Sequence, residues 1–273
     1  MFYKMRVLPV LLGAAALFLP VMAKAQQLEE DSNAVASHPT YLINIDTPYI
    51  PAKGHFNFSA DVRPFGTAEN NTYSTLGLEF GFTDSMAILL RAGGATRQLI
   101  TPGAVPLLSG GREYEAGVRW MWSQKGSAMF GVGASLLIPS GRPDNRAALG
   151  GEALLGRKFG KNITLYATPK ATFGSALLAT LGGGVQFQFE PNIALIGDVQ
   201  VPFIGQNGFD TTSGDTLKRS LWGLGLRYNP GVFRGKISLD LGVTNGIGRT
   251  LGMSAYSATA GSAAFYFGLN LRP

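Results

Sequence analysis

The chain has 273 residues, 45% of them apolar, 11% aromatic and only 15% charged, with 37 Gly and no Cys. The apolar share excludes a disordered chain. The lack of cysteine excludes a disulfide scaffold or a thiolate-ligated metal protein. So low a charged fraction, beside so much Gly, points to many short strands in a setting other than plain water.

Lys4 and Arg6 precede an almost wholly apolar run from Val7 to Val21, and Ala23-Lys24-Ala25 fits the small-x-small cleavage rule. Residues 1–25 are therefore expected to be a signal peptide cut after Ala25. The run is short for a membrane-anchoring helix, and no Cys stands at the cut for lipid attachment. Loss of Lys4, Arg6 and Lys24 lowers the formal charge from +6 to +3. No Lys/Arg cluster is interleaved with aromatics, so nucleic-acid binding is not expected. Residues 26–52 would plug the domain C-terminal to them or trail as a periplasmic segment. The tail is the preferred expectation, because termini are usually poorly ordered.

From residue 53 to residue 273 the period is two. In 54–62, Phe56, Phe58, Ala60 and Val62 share one face and Asp61 lies on the other. In 75–83, Leu76, Leu78, Phe80 and Phe82 oppose Glu79; in 85–93, Met86, Ile88, Leu90 and Ala92 oppose Arg91. In 112–123, Tyr114, Ala116, Val118, Trp120 and Trp122 oppose Glu113, Glu115 and Arg119. Segment 127–138 carries Phe130, Val132, Leu136 and Ile138 on one face, and the less regular 148–159 sets Leu149, Ala153 and Leu155 against Glu152 and Lys158. In 162–173, Ile163, Leu165 and Phe173 oppose Tyr166, Thr168 and Lys170; in 177–190, Leu181, Val185, Phe187 and Phe189 oppose Gln186, Gln188 and Glu190. In 192–203, Leu195, Val199, Val201 and Phe203 oppose Asp198; in 218–228, Trp222, Leu224, Leu226 and Tyr228 oppose Arg219 and Arg227. Last come 235–245, where Ile237, Leu239 and Leu241 oppose Lys236 and Asp240, and 261–271, where Phe265, Phe267, Leu269 and Leu271 oppose Tyr266 and Asn270.

Twelve such segments in a row predict an all-β fold, a transmembrane antiparallel up-and-down β-barrel in the outer membrane. Connections after even-numbered segments are short, as at Thr83-Asp84 and Gly160-Lys161. Those after the first, third, fifth, ninth and eleventh read as long and Gly/Ser/Thr/Asn-rich, and only the seventh breaks the rule. That alternation is the barrel's short-turn, long-loop asymmetry. Trp120, Trp122, Phe187, Phe189 and Tyr228 beside turns, and Tyr114, Phe173 and Phe203 beside loops, fit two interfacial girdles. The expected partners are outer-membrane lipid, the barrel-insertion machinery and a small-molecule solute.

The opposite face would line the lumen. Asp61, Glu79, Arg91, Glu113, Glu115, Arg119, Glu152, Lys170, Asp198, Arg219, Arg227 and Asp240 are its candidate solute-path residues. Both signs are balanced there, so strong ion selectivity is not expected. The charges either line a narrow pore or cross-link to close a structural or adhesive barrel. Many lumen positions, such as Gly77, Gly117, Gly131, Gly184 and Gly223, are Gly and leave room or let the wall bend. The apolar residues Leu99, Ile100, Val105, Leu107 and Leu108 of the loop at 94–111 are read as ordinary loop packing rather than a fold into the mouth.

Catalysis has little to build on. His38 and His55 are the only histidines, and His55 stands at the end of the first segment opposite to where barrel hydrolases work. Glu113 and Glu115 share a face, which salt bridging explains as well as acid–base chemistry. Asp210 and Asp215 in a polar loop read as solvated linker rather than a Ca²⁺ site. Gly182-Gly183-Gly184 lies within a strand and opens no helix, so it is no phosphate loop. Neither an enzyme nor a cofactor is expected.

Thr47-Pro48-Tyr49-Ile50-Pro51-Ala52-Lys53-Gly54 ahead of the first strand, and Ile138-Pro139-Ser140-Gly141 closing the fifth, carry a resemblance. The chain resembles bacterial outer-membrane β-barrel proteins and, more narrowly, is similar to the family named after the MetA pathway of phenol degradation. The resemblance implies passage of small solutes, hydrophobic compounds among them, and supplies no catalytic residues. The ending Leu269-Asn270-Leu271-Arg272-Pro273 departs from the terminal aromatic that many such barrels carry.

Overall fold

The computed structural model describes residues 40–65, 71–95, 111–122, 127–139, 146–174, 177–209, 215–233, 236–255, 257 and 263–272. The leader and its cleavage site, His38, the loop residues 96–110 and Asp210 lie outside them.

Alternation of apolar and small or polar residues produces extended strands, and each hairpin sets its partner antiparallel. Nine come first: β1 (Phe56–Phe65), β2 (Asn71–Gly81), β3 (Met86–Ala95), β4 (Gly111–Met121), β5 (Ala128–Pro139), β6 (Arg146–Phe159), β7 (Ile163–Phe173), β8 (Leu177–Glu190) and β9 (Ile193–Ile204). A two-stranded ribbon comes next, β10 (Gly208–Phe209) with β11 (Thr216–Leu217), then β12 (Leu221–Tyr228), β13 (Ile237–Thr244) and β14 (Ala264–Leu271). The ribbon stands apart, and the other twelve strands close into one barrel in chain order. Closure is made by β1 on β14, in register from Phe58 opposite Leu271 to Phe65 opposite Ala264. Closing the sheet removes both edges, as a sheet in lipid requires.

The barrel is inside out relative to a soluble protein. In β12, Trp222, Leu224, Leu226 and Tyr228 are exposed on the outer wall while Arg227 is fully buried. The same holds around the barrel, where exposed Leu, Ile, Val and Phe alternate with buried polar residues. Outer aromatics gather beside the turns. Trp120 stacks on Trp122 with centroids 6.3 Å apart, Trp122 lies 5.4 Å from Phe130, and Phe187 lies 6.4 Å from Phe189. Tyr114, Phe173 and Phe203 stay exposed at the opposite, loop end. Leu224, mid-strand and 52% exposed, faces lipid. Leu224→Arg is expected to cost about 2–4 kcal/mol of folding stability in a bilayer, measured by denaturant titration in lipid vesicles.

Two expectations about connections change. β1 runs on to Phe65 and β2 begins at Asn71, so the first connection is only 66–70, and the fifth shrinks to 140–145. The alternation runs past the apolar stretches that mark the strands in the sequence, and pairing extends with it. The positive φ of 62° at Gly160 closes the tight turn between β6 and β7, where a side chain would be strained.

Candidate functional site

Among the described residues, two segments that do not belong to the wall fill the bore. The first is Thr40–Pro48, buried throughout. It folds into a tight hairpin: Leu42 N–H donates to the Ile45 carbonyl at 2.9 Å, Thr47 N–H to the Thr40 carbonyl at 3.0 Å, and Tyr41 bridges Asp46. The chain reaches it from β1 through Pro51–His55, so the hairpin enters from the end bearing the short turns. Part of the stretch expected to be a periplasmic tail is therefore a plug. A tail would leave Tyr41, Leu42, Ile43 and Ile45 in water, whereas here they form an apolar cluster with Tyr166, Ile196 and Tyr266.

The second segment is the connection from β13 to β14, of which residues 246–254 and 257 are buried. It turns inward through a short helical turn at Met253–Ala255. The loop that the sequence marked to weigh for inward folding, 94–111, lies for the most part outside the described residues.

Wall carboxylates grip both segments by their backbone. Asp198 on β9 accepts from Ile43 N–H and Asn44 N–H through one oxygen and from the Asn44 side-chain amide through the other, each at 2.7 Å. Successive N–H groups at a turn form such an anion-binding nest. Glu113 on β4 likewise accepts from Gly252 N–H at 2.7 Å, Met253 N–H at 3.1 Å and the Thr250 hydroxyl at 2.6 Å. Its neighbour Glu115 takes Leu251 N–H at 2.7 Å. Lys170 on β7 donates to the Ser254 hydroxyl.

Guanidiniums tie segment to wall. Arg63 donates to Asp61 at 2.9 Å, to the Asn44 side-chain oxygen and the Gly246 carbonyl at 2.9 Å, and to the Ile43 carbonyl at 2.7 Å. Arg249 donates to the other Asp61 oxygen at 2.7 Å and lies 3.6 Å above the Tyr41 ring. Arg227 makes two 2.7 Å bonds to Asp240 and reaches the Tyr41 carbonyl at 2.9 Å. Asp46 is shared by two cations, Arg91 at 2.7 Å and Arg119 at 2.6 Å. Arg119 also meets Glu79 at 3.2 Å and Glu152 at 3.4 Å. Burial pushes the Asp46 carboxyl up, but the Arg119 and Arg91 guanidiniums outweigh it and hold it below the usual carboxylate range. Burial raises the Tyr41 hydroxyl to about 12 against the opposing Arg249 charge.

Eleven of the twelve candidate lumen residues face the bore. Asp61, Glu79, Arg91, Glu113, Glu115, Arg119, Lys170, Asp198, Arg227 and Asp240 are buried there, and Glu152 is half-buried. Arg219 sits just ahead of β12, which starts at Leu221; it is half-buried, its side chain lies against Gly208 beside Ser257, and its N–H is bonded to the Asn207 side chain at 2.7 Å. Lys236 and Glu190 are also exposed rather than luminal, and His55 is exposed just ahead of β1. Among the described residues no group of His, Asp and Glu side chains is placed to hold a metal ion.

Arg63, Asn44, Asp46 and Arg249 were not legible as site residues. Arg63 lies one alternation step beyond Asp61, so following the period past Val62 finds it. The others lie outside the alternating segments, and no pattern in the sequence marks them.

The wall makes room for the segments through glycine. A Cβ on Gly223 would meet Ile43 at 2.7 Å and Asn44 at 3.0 Å, and one on Gly184 would collide with Leu42 and Ile45. One on Gly150 would meet Leu251. Beside Arg119 lies a cavity of about 10 Å³ lined in part by Glu115, Glu152 and Lys170, room for about one water.

These features define a closed, twelve-stranded β-barrel of the bacterial outer-membrane type with an internally plugged lumen. Among solved structures, the chain is similar to an outer membrane channel from Pseudomonas putida F1. The TM-score is 0.54 at 11% identity, over 82% of this chain and 97% of that one. It is also similar to the KdgM porin in complex with disordered oligogalacturonate (TM-score 0.48, 10% identity, 80% and 98% covered). A third is the toluene transporter TbuX of Ralstonia pickettii (TM-score 0.43, 8% identity, 92% and 99% covered). Likeness at such identity speaks to fold alone. No family model and no curated protein matches the chain.

Proposed function

We propose that the protein is a gated outer-membrane channel for small solutes, closed in the state described. The observation that carries this reading is that the bore is occupied by separable segments, not by the wall's own side chains. Twelve strands enclose more space than their inward residues fill, and the wall glycines widen it further. Withdrawal of Thr40–Pro48 would uncover Glu79, Arg91, Arg119, Glu152, Asp198, Arg227 and Asp240 as the polar lining of a conduit, with the inward loop still seated on Asp61 and Glu115. The resemblance to the phenol-degradation MetA family adds hydrophobic compounds to the solutes worth testing.

The second reading is a non-conducting structural or adhesive barrel, favoured by wall ion pairs such as Arg227–Asp240. That pair joins adjacent strands, and Arg119 reaches Glu79 and Glu152 only two strands away on either side. Contacts that cross the bore run through the hairpin and the inward loop, which favours a removable closure.

Planar-bilayer recordings of the wild type beside a variant lacking residues 26–48 test the choice. The expected result is a silent or rarely opening wild type and a persistently conducting variant. A correctly inserted variant that stays silent, and takes up no solute in liposomes, would overturn the hairpin-gated channel.

A further inference from the structure

We propose that Arg91 and Arg119 form a binding site for a solute carboxylate, filled at rest by Asp46 as a tethered pseudo-ligand, and that such a solute competes the hairpin out. The proposal rests on the channel reading for one point only, that the hairpin leaves the bore.

The geometry is that of a receptor site for one carboxylate. Guanidiniums from adjacent strands converge on the two oxygens of Asp46, Arg91 Nη2 on Oδ1 at 2.7 Å and Arg119 Nη2 on Oδ2 at 2.6 Å. These are charge-assisted distances. The other buried arginines of the wall have close wall partners of their own. Arg227 keeps its 2.7 Å bonds to Asp240, and Arg63 keeps Asp61 at 2.9 Å. Arg91 and Arg119 do not. Without Asp46, Arg91 has the Arg249 carbonyl of the inward loop at 2.8 Å and Glu115 at 4.0 Å, and Arg119 has Glu79 and Glu152 at 3.2 and 3.4 Å, so these wall carboxylates all stand farther off than Asp46 does. Each also carries a buried Nε–H with no acceptor among the described residues. Two desolvated cations so placed find their nearest carboxylate off the wall, on Asp46.

The surroundings set the ligand class. Glu79, Glu115 and Glu152 flank the pair, so a second negative charge on the ligand would be repelled. A monocarboxylate fits and a dianion such as phosphate does not. The cavity beside Arg119 holds about one water. Ligand and Asp46 therefore exclude one another, and occupancy by the ligand is release of the hairpin. Binding and opening become one equilibrium, with the hairpin's own carboxylate as competitor.

The chain has no cysteine, so a single Ile45→Cys variant of the full protein reports the hairpin cleanly. Ile45 is 3% exposed at rest. Its labelling by a membrane-impermeant maleimide is expected to rise about tenfold or more in propionate over propionamide at equal ionic strength. In calorimetry, Asp46→Asn is expected to bind propionate about tenfold or more tighter than the wild type does. Adding Arg119→Gln should abolish that binding, with heat-modifiable migration reporting the folded barrel throughout. Equal labelling in propionate and propionamide overturns the proposal, as does Asp46→Asn binding propionate no tighter than the wild type. If Asp46→Asn does not fold, the labelling result on Ile45→Cys decides alone. Carboxylate-dependent labelling without conductance would uphold the site and sink the channel reading. A conducting plug-deleted variant, with labelling indifferent to carboxylate, would do the reverse.

Discussion

Gly223→Val is expected to open the barrel without removing a single residue of the plug. Its added methyl groups would occupy the space of Ile43, whose Cγ2 and Cβ lie 2.7 and 2.8 Å from where the Cβ of residue 223 would stand, with Asn44 at 3.0 Å. All three of these nearest atoms belong to the hairpin. The wall strand can keep its pairing, since Val suits an extended strand, while the hairpin tip loses its seat and Asp198 loses the three donors it holds there. Single-channel recording should show the change from a closed to a persistently conducting state. Gly183→Val is the control, because Gly183 has no atom nearer its Cβ position than Tyr166 O at 4.0 Å. A silent Gly223→Val in a folded barrel, or equal conductance in both variants, would remove the hairpin from the gate.

Asp61→Ala should carry the largest stability cost of any single lumen substitution. Asp61 is 2% exposed and neutralises two buried cations, Arg63 at 2.9 Å and Arg249 at 2.7 Å. Removing one partner of a buried pair costs about 3–5 kcal/mol, because a charge is left uncompensated. Here two are left, one on the wall and one on the inward loop. Denaturant titration in vesicles measures the loss. The double variant Asp61→Ala with Arg249→Met should recover part of it, since one uncompensated charge goes with its partner. A loss under about 1 kcal/mol, the range of an exposed pair, would mean that water reaches the pair and the loop end is open.

The barrel itself was legible because its information is local and repeated. A period of two needs only neighbouring residues, and twelve repeats of it fix strand type, count and which face meets lipid. Eleven of twelve lumen residues followed from the same parity. Arg63 was missed where that parity was not carried far enough.

The occupants of the bore were not legible, for a different physical reason. Tyr41-Leu42-Ile43-Asn44-Ile45-Asp46 is too short to show a period, and its hairpin is held by partners far along the chain. Asn44 meets Asp198 at a sequence separation of 154, and Arg249 meets Asp61 at 188. Gly223 and Gly184 marked in the sequence that space existed, but not what would fill it. The sequence alone therefore determined a closed, lipid-facing cylinder with a charged interior, because alternation encodes orientation residue by residue. Only the tertiary structure decided that the interior is plugged. Which groups neutralise buried Arg91, Arg119 and Arg249 depends on distances that exist once the cylinder has closed around them.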